Sequence, residues 1–115
     1  MKAITRGDTR TRKVTITDLA GAPVNIGGHS LWMTLKKNVT DADPGALQVQ
    51  DVQPSNADTL AGKGTVVLPS DKTALLEPGV YWYDLQWVRP GSPPVVDTIE
   101  SGRVRVKADV TRSTS

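Results

Sequence analysis

The strongest structural signal in this sequence is a two-residue alternation that runs from Gly79 to Val88. Successive side chains of an extended backbone point to opposite faces, so every second residue shares one environment. One face of this stretch carries large residues: Tyr81, Tyr83, Leu85 and Trp87. The other face carries Trp82 and Asp84. The pattern predicts a β-strand whose aromatic face lies in the core, where its tyrosines and Trp87 have structural roles.

Shorter alternations of the same kind recur along the chain and are separated by turn-forming residues. They predict further strands at residues 11–18, 30–37, 47–50, 64–68, 95–99 and 102–110, with a short one at 24–26. The strand at 30–37 is predicted to be central, and the one at 47–50 to lie at an edge. In the last strand, the residues predicted to face the core are Val104, Val106, Ala108 and Val110.

One short helical turn interrupts this pattern. Ser70 or Asp71 can cap a turn that continues to Leu75 and ends at Pro78 and Gly79. The stretches at residues 41–45 and 54–62 are rich in polar and turn-forming residues, so they are predicted to be loops.

Length and composition favour one domain with a thin core. The chain has 115 residues, of which 37% are hydrophobic, and this suits a single layer of side chains between two sheets. Roughly seven strands at short spacings are typical of an all-β, immunoglobulin-like β-sandwich. We expect this domain at residues 11–110, an N-terminal arm at 1–10 and a polar C-terminal tail at 111–115.

Charge and cysteine content narrow the classes of function. The formal net charge is +2, which is too small to indicate a nucleic-acid partner. The chain has no cysteine, which suits a protein made in a reducing cytoplasm. The sequence has no apolar stretch long enough for a secretion signal or a membrane span, so no membrane partner is expected.

Several short motifs frame the predicted strands. Residues 62–69 read GKGTVVLP, residues 79–84 read GVYWYD, and residues 102–106 read GRVRV, while RGDT opens the chain at 6–9 and DVTR closes it at 109–112. Together they resemble the N-terminal, immunoglobulin-like domain family of upper baseplate proteins in tailed bacteriophages. The resemblance covers nearly the whole chain, and its motifs mark a fold and no chemistry.

The resemblance implies a bacteriophage virion structural protein. Its expected place is the tail, the baseplate or the tail-fibre attachment region, in particles assembled in the host cytoplasm. Its partners would be other virion proteins, with the chain present as a homo-oligomer or in repeated copies. Domains of this family usually open a much longer protein, so two alternatives stay open. One is a capsid decoration or head-fibre base, and the other is a module that binds host glycan or protein through loops 41–45 and 89–94.

Five residues are candidates for protein contact. Trp32 and Trp82 are large aromatics on the outward side of their strands, where such residues often mark an interface unless another element covers them. Arg6, Arg10 and Arg12 form a basic cluster near the N-terminus. The arm itself can add a strand to a neighbour's sheet.

No set of residues indicates catalysis, a cofactor or a metal site. His29 is the single histidine, so a multi-histidine metal site is ruled out. The sequence also shows no recognisable set of nucleophile, base and orienting residue. Asp41 and Asp43 have the first spacing of a calcium loop without its later ligands. Asp84 could be a catalytic carboxylate, but a structural role, accepting hydrogen bonds from a neighbouring loop, is favoured. We expect a protein that is not an enzyme.

Overall fold

The computed structural model describes residues 1–42 and 45–109. These residues form strands and single-turn helices in the order β1 (Ile4–Thr5), β2 (Arg10–Thr15), β3 (Ser30–Lys36), β4 (Leu47–Val52), α1 (Ala57–Leu60), β5 (Lys63–Leu68), α2 (Ser70–Thr73), β6 (Gly79–Arg89) and β7 (Val95–Lys107). The prediction of a mostly β chain is confirmed. The predicted tail at 111–115 lies outside the described residues, as do residues 43–44 of a predicted loop.

Five of the strands form one mixed sheet in the order β1-β7-β6-β3-β4. β1 runs parallel to β7, and the other neighbours are antiparallel. β3 lies between β6 and β4, which confirms the predicted central strand, and β4 lies at the edge as predicted. β2 and β5 form a separate two-stranded antiparallel sheet.

The core is built from one apolar face of each sheet. The larger sheet buries Leu31, Met33, Leu35, Leu47, Val49, Tyr81, Tyr83, Leu85, Trp87, Val104 and Val106. The smaller sheet contributes Val66 and Leu68 of β5. The two sheets approach closely at Gly64, where a Cβ atom would lie 2.8 Å from the Cδ1 atoms of Ile26 and Leu31. The predicted aromatic core face of β6 is therefore confirmed.

The last strand of the chain differs from the prediction, which had two separate strands at 95–99 and 102–110. β7 is one strand with a β-bulge, because Leu85 pairs with Glu100 while Gln86 pairs with Thr98. Ile99 is the extra residue, and it interrupts the alternation that the sequence shows. Val104 and Val106 are buried as predicted, but Ala108 is exposed because β7 ends before it. Val110 lies outside the described residues.

The first ten residues differ from the predicted arm. β1 pairs with residues 106–107 of β7, and the Ile4 side chain is buried in the core. The segment is therefore a strand of its own sheet, held by backbone pairing and by an apolar side chain.

The helices differ in part from the prediction. The predicted loop at 54–62 contains α1, whose N-cap Asn56 accepts a hydrogen bond from the Thr59 N–H, while the Thr59 hydroxyl accepts one from the Asn56 N–H. Asparagine is a favoured N-cap residue, so the sequence does contain part of this signal. The predicted strand at 24–26 is absent, and an isolated bridge forms just before it.

The predicted helical turn is present as α2, but its cap differs. Pro69 is the N-cap, and it offers no side-chain hydrogen bond, whereas Ser70 and Asp71 lie inside the turn. Thr73 of this turn is fully buried and ties down the N-terminal segment, because its hydroxyl donates to the Asp8 carbonyl at 2.7 Å.

Candidate functional site

Both predicted contact tryptophans lie on the side of the five-stranded sheet that faces away from the core, called the outer face below. Trp32 of β3 is in register with Gln86 of β6, and Trp82 of β6 is in register with Lys36 and Arg103. Trp32 is half-buried, and Trp82 is 38% exposed. The two-stranded sheet contributes to the core on the opposite face, so it covers neither tryptophan.

The Trp82 ring has a cation stacked on it. The guanidinium carbon of Arg103 lies 4.3 Å from the ring centroid. A cation over an aromatic face is attracted by the ring quadrupole, and at an exposed site the pair contributes about 0.5–1 kcal/mol. The outer face therefore presents an aromatic plane and a positive charge side by side.

A groove of about 300 Å³ opens beside this pair. Its walls are formed by Thr34, Lys36, Val39, Trp82, Tyr83, Asp84, Ser101 and Gly102. Thr34 is only 7% exposed, and its hydroxyl accepts a hydrogen bond from Gln48 Nε2 at 3.1 Å. Asp84 is half-buried and in register with Thr34 and Ser101, so this carboxylate belongs to the groove. Its predicted role as an acceptor for a neighbouring loop stays a prediction.

A second apolar area lies at the other end of the outer face. Ser30 is in register with Val52 on one side and with Val88 on the other, and Val88 is in register with Val96. Val52 is 64% exposed and Val96 is 49% exposed. Apolar side chains are thus accessible at both ends of the face, and the row of Trp32 and its polar neighbours separates them.

Two of the three predicted contact arginines, Arg6 and Arg10, hold the N-terminal segment in place through backbone carbonyls. Arg6 donates to the Ala74 carbonyl at 2.5 Å, and its guanidinium also lies 3.8 Å from the Asp109 carboxylate. Arg10 donates to the Ala3 carbonyl at 3.0 Å. Both side chains fasten the N-terminal segment, and neither lies on the outer face.

The third arginine, Arg12, belongs to a partly buried network. It forms an ion pair with Glu100, whose other carboxylate oxygen accepts a hydrogen bond from the Tyr83 hydroxyl at 2.7 Å. Burial acts to raise the pKa of Glu100, but the hydrogen bonds from Tyr83 and Arg12 outweigh it and hold that pKa below its ordinary value. Burial and the bond to Glu100 raise the pKa of Tyr83.

The residues predicted to have structural roles also make specific contacts. The Tyr81 hydroxyl donates to the Glu77 carbonyl at 2.7 Å, which anchors the turn before β6. Trp87 Nε1 donates to His29 Nδ1 at 3.0 Å, and the two rings stack with centroids 5.9 Å apart. The single histidine therefore acts as a core-edge acceptor for a buried indole.

The sequence interpretation missed Arg103 as the partner of Trp82, Glu100 as the partner of Arg12, and the exposed valines of the outer face. The sequence did indicate that Arg12 points inward, because it lies on the same face of β2 as Val14 and, two residues further on, Ile16. The other pairs depend on strand register, which the local pattern does not contain.

The described residues contain no group of three histidine, aspartate or glutamate side chains placed to hold a metal ion. None of the helices in the described part of the chain is long and apolar enough to cross a membrane.

No model of a known protein family matches the chain, and no curated protein sequence is significantly similar to it. The family resemblance therefore rests on the short motifs alone. In the structure, the motifs at 62–69, 79–84 and 102–106 correspond to β5, to the start of β6 and to the end of β7.

Proposed function

We propose that this chain is a structural, non-enzymatic module of a tailed-bacteriophage virion. It would have an immunoglobulin-like β-sandwich fold and bind other virion proteins through the outer face of its five-stranded sheet. The motif resemblance supports the virion setting, and the mostly β fold is compatible with it. The observation that carries the docking surface is the exposed Trp82–Arg103 pair beside the groove.

This surface has the properties of a protein-binding site. Tryptophan and arginine are the residue types most enriched among those that dominate binding energy, and they act best next to a pocket that a partner side chain can fill. The groove beside Trp82 supplies such a pocket. Val80, two residues before Trp82 in β6, is 51% exposed.

The expected partners are components of the tail, the baseplate or the tail-fibre attachment region. A capsid decoration or head-fibre base protein would use the same surface on a different particle site. The other alternative is a module that binds host glycan or protein through loops 41–45 and 89–94, and the Trp82–Arg103 pair lies outside both loops.

Incorporation into particles tests this proposal. The chain, carrying a small epitope tag, is expressed during growth of the phage or prophage that encodes it, and purified particles are examined by immunogold electron microscopy and mass spectrometry. We expect the wild-type chain on the particles, and labelling of tail or head identifies its location. Trp82→Ala should lower incorporation at least tenfold, as expected for loss of an interface tryptophan.

A matched control separates docking from general loss of apolar surface. Leu75 is 81% exposed and lies away from the outer face, just after α2, so Leu75→Ser should be incorporated like the wild type. Absence of the wild-type chain from purified particles would refute the virion assignment. Normal incorporation of Trp82→Ala would refute the outer face as the docking surface.

A further inference from the structure

Both edges of β5 form hydrogen bonds. One edge pairs with β2. On the other edge, Thr65 N–H donates to Gln53 Oε1 at 3.0 Å, the Thr65 carbonyl accepts from Gln53 Nε2 at 2.9 Å, and Val67 N–H donates to Asp51 Oδ2 at 2.6 Å. The backbone groups of Thr65 and Val67 therefore point away from β2.

This orientation fixes the direction of the backbone groups in β2. In an antiparallel ladder, hydrogen-bonded pairs alternate with pairs whose backbone groups point outward. Thr11 is in register with Val67 and Lys13 with Thr65, so both belong to the outward-pointing pairs, and Thr15 follows in phase. Among the described residues, one of these outward groups has a partner: the Lys13 carbonyl accepts a hydrogen bond from the Arg12 guanidinium at 3.0 Å. Within the described part of the chain, β2 thus has an open edge on which the N–H groups of Thr11, Lys13 and Thr15 have no partner.

Space for a further strand lies directly beside this edge. One cavity of about 420 Å³ lies between β2 and the bulge of β7, lined by Val14, Ile16 and Ile99 among others. A second, of about 460 Å³, is lined by Met1, Arg10 and Tyr83 among others. Both cavities share Arg12 and Glu100 as lining residues, so they lie next to each other at this ion pair, and together they are called the groove below.

The positive charge of β2 indicates which kind of segment can pair with its open edge. β2 reads RTRKVT, and among the described residues neither Arg10 nor Lys13 has a carboxylate partner. Antiparallel pairing with β2 of a second copy would set these cations against one another, which is destabilising. We propose that the β2 edge accepts an extended, acidic segment of another protein as an added strand. Main-chain hydrogen bonds would give the affinity, and alternate side chains would enter the groove.

Proline substitution tests the open edge, because proline removes one N–H donor and is tolerated where that N–H faces outward. Lys13→Pro should fold and lose the central donor of the edge. Lys13→Thr removes the same charge and keeps the donor, so it is the matched control. Thr11→Pro removes a second outward donor without any change of charge, and it replaces Lys13→Pro if that variant does not fold.

The probe is a capped, fluorescent hexapeptide of alternating valine and glutamate, with binding measured by fluorescence anisotropy. We expect saturable binding to the wild type, a small loss with Lys13→Thr, and at least about tenfold weaker binding with Lys13→Pro. A peptide N-methylated at alternate residues on its pairing edge should not bind. Amide exchange at residues 11, 13 and 15 should slow on binding.

Three outcomes would overturn the inference: no binding to the wild type, equal binding to Lys13→Pro and the wild type, or equal binding of the N-methylated peptide. Concentration-dependent dimers that Lys13→Pro abolishes would show that a second copy occupies the edge instead. Because Trp82 lies on a different surface, failure here leaves the outer-face proposal untouched.

Discussion

The two sheets are joined differently along their two sides. On the side where β4 approaches β5, called the closed side, the Gln53 side chain hydrogen-bonds the Thr65 backbone in both directions, and Asp51 caps the Val67 N–H. On the side where β2 faces β7, called the open side, the Arg12–Glu100 ion pair crosses a gap. Gln53 is 4% exposed, whereas the Arg12 and Glu100 side chains are 31% and 29% exposed.

This difference shows how side chains determine which strand edge of a short chain stays accessible. A buried amide reproduces the donor and acceptor of a missing strand, so β5 needs no further partner on the closed side. A half-exposed ion pair holds the open side without satisfying the β2 backbone, and water or another strand can compete for it. We therefore expect contacts on the closed side to contribute most to the free energy of unfolding. We expect the open side to bind another protein.

Gln53→Ala should have the largest effect, because it removes a buried side chain and leaves the half-buried Thr65 N–H and carbonyl without these partners. The two lost hydrogen bonds together cost about 1–3 kcal/mol and the cavity adds to this, so we expect a loss of about 2–4 kcal/mol in the free energy of unfolding. Urea denaturation measures it. Gln50→Ala, three residues earlier in β4, is the control, since Gln50 is exposed and its side chain donates to the Ser30 hydroxyl. Similar losses for both variants would contradict a special role for the closed side.

Gly64→Ala should have the next largest effect. The added methyl group would lie 2.8 Å from Ile26 and Leu31 and 3.3 Å from Gln53 Oε1, in the narrowest part of the core beside the closed side. Overpacking of this kind costs about 1–3 kcal/mol. Gly102→Ala is a matched strand glycine whose nearest neighbour, Tyr83, would lie at an ordinary 3.4 Å, so its stability should be unchanged or higher. Equal destabilisation would contradict the tight approach at Gly64.

The elements of this fold that local alternation defines were predictable, and those that depend on distant partners were not. The core face of β6 follows from a local pattern. β1 has two residues, too few to show a period, and it exists because β7 offers an edge beside it. The single strand β7 was divided in the prediction because a bulge at Ile99 shifts the phase.

The candidate site was predictable to the same extent. Trp32 and Trp82 follow from strand phase, and the outer face carries both. Arg103 was missed, because its stacking on Trp82 depends on which residues face each other across β6 and β7. The open edge of β2 depends on Gln53 and Asp51 satisfying the far edge of β5, and neither periodicity nor composition records such a contact.

Glu100→Gln should have a smaller effect, and one that depends on pH. The pKa of Glu100 is lowered in the folded state, so its contribution is present above the ordinary value of 4.5 and is lost as pH falls through the folded value. At neutral pH we expect a loss of at most about 1 kcal/mol, because the pair is partly exposed. Urea midpoints measured across the acid range should fall less steeply for the variant than for the wild type. Tyr83→Phe should give an intermediate slope, and equal slopes for all three proteins would contradict the network.

Lys37→Ala should have the smallest effect on stability. It is the reference for an ion pair that lies on neither the closed side nor the open side. Lys37 pairs with Glu77, and the hydrogen bond between them raises the pKa of Lys37 and lowers that of Glu77. Their side chains are 52% and 76% exposed, so water and salt screen the pair. The thermal midpoint of Lys37→Ala should equal that of the wild type at low and at high salt. A loss of stability as large as that of Glu100→Gln would mean that partial burial of Glu100 does not strengthen its ion pair. The ion pair on the open side would then stabilise the fold no more than an exposed surface pair does.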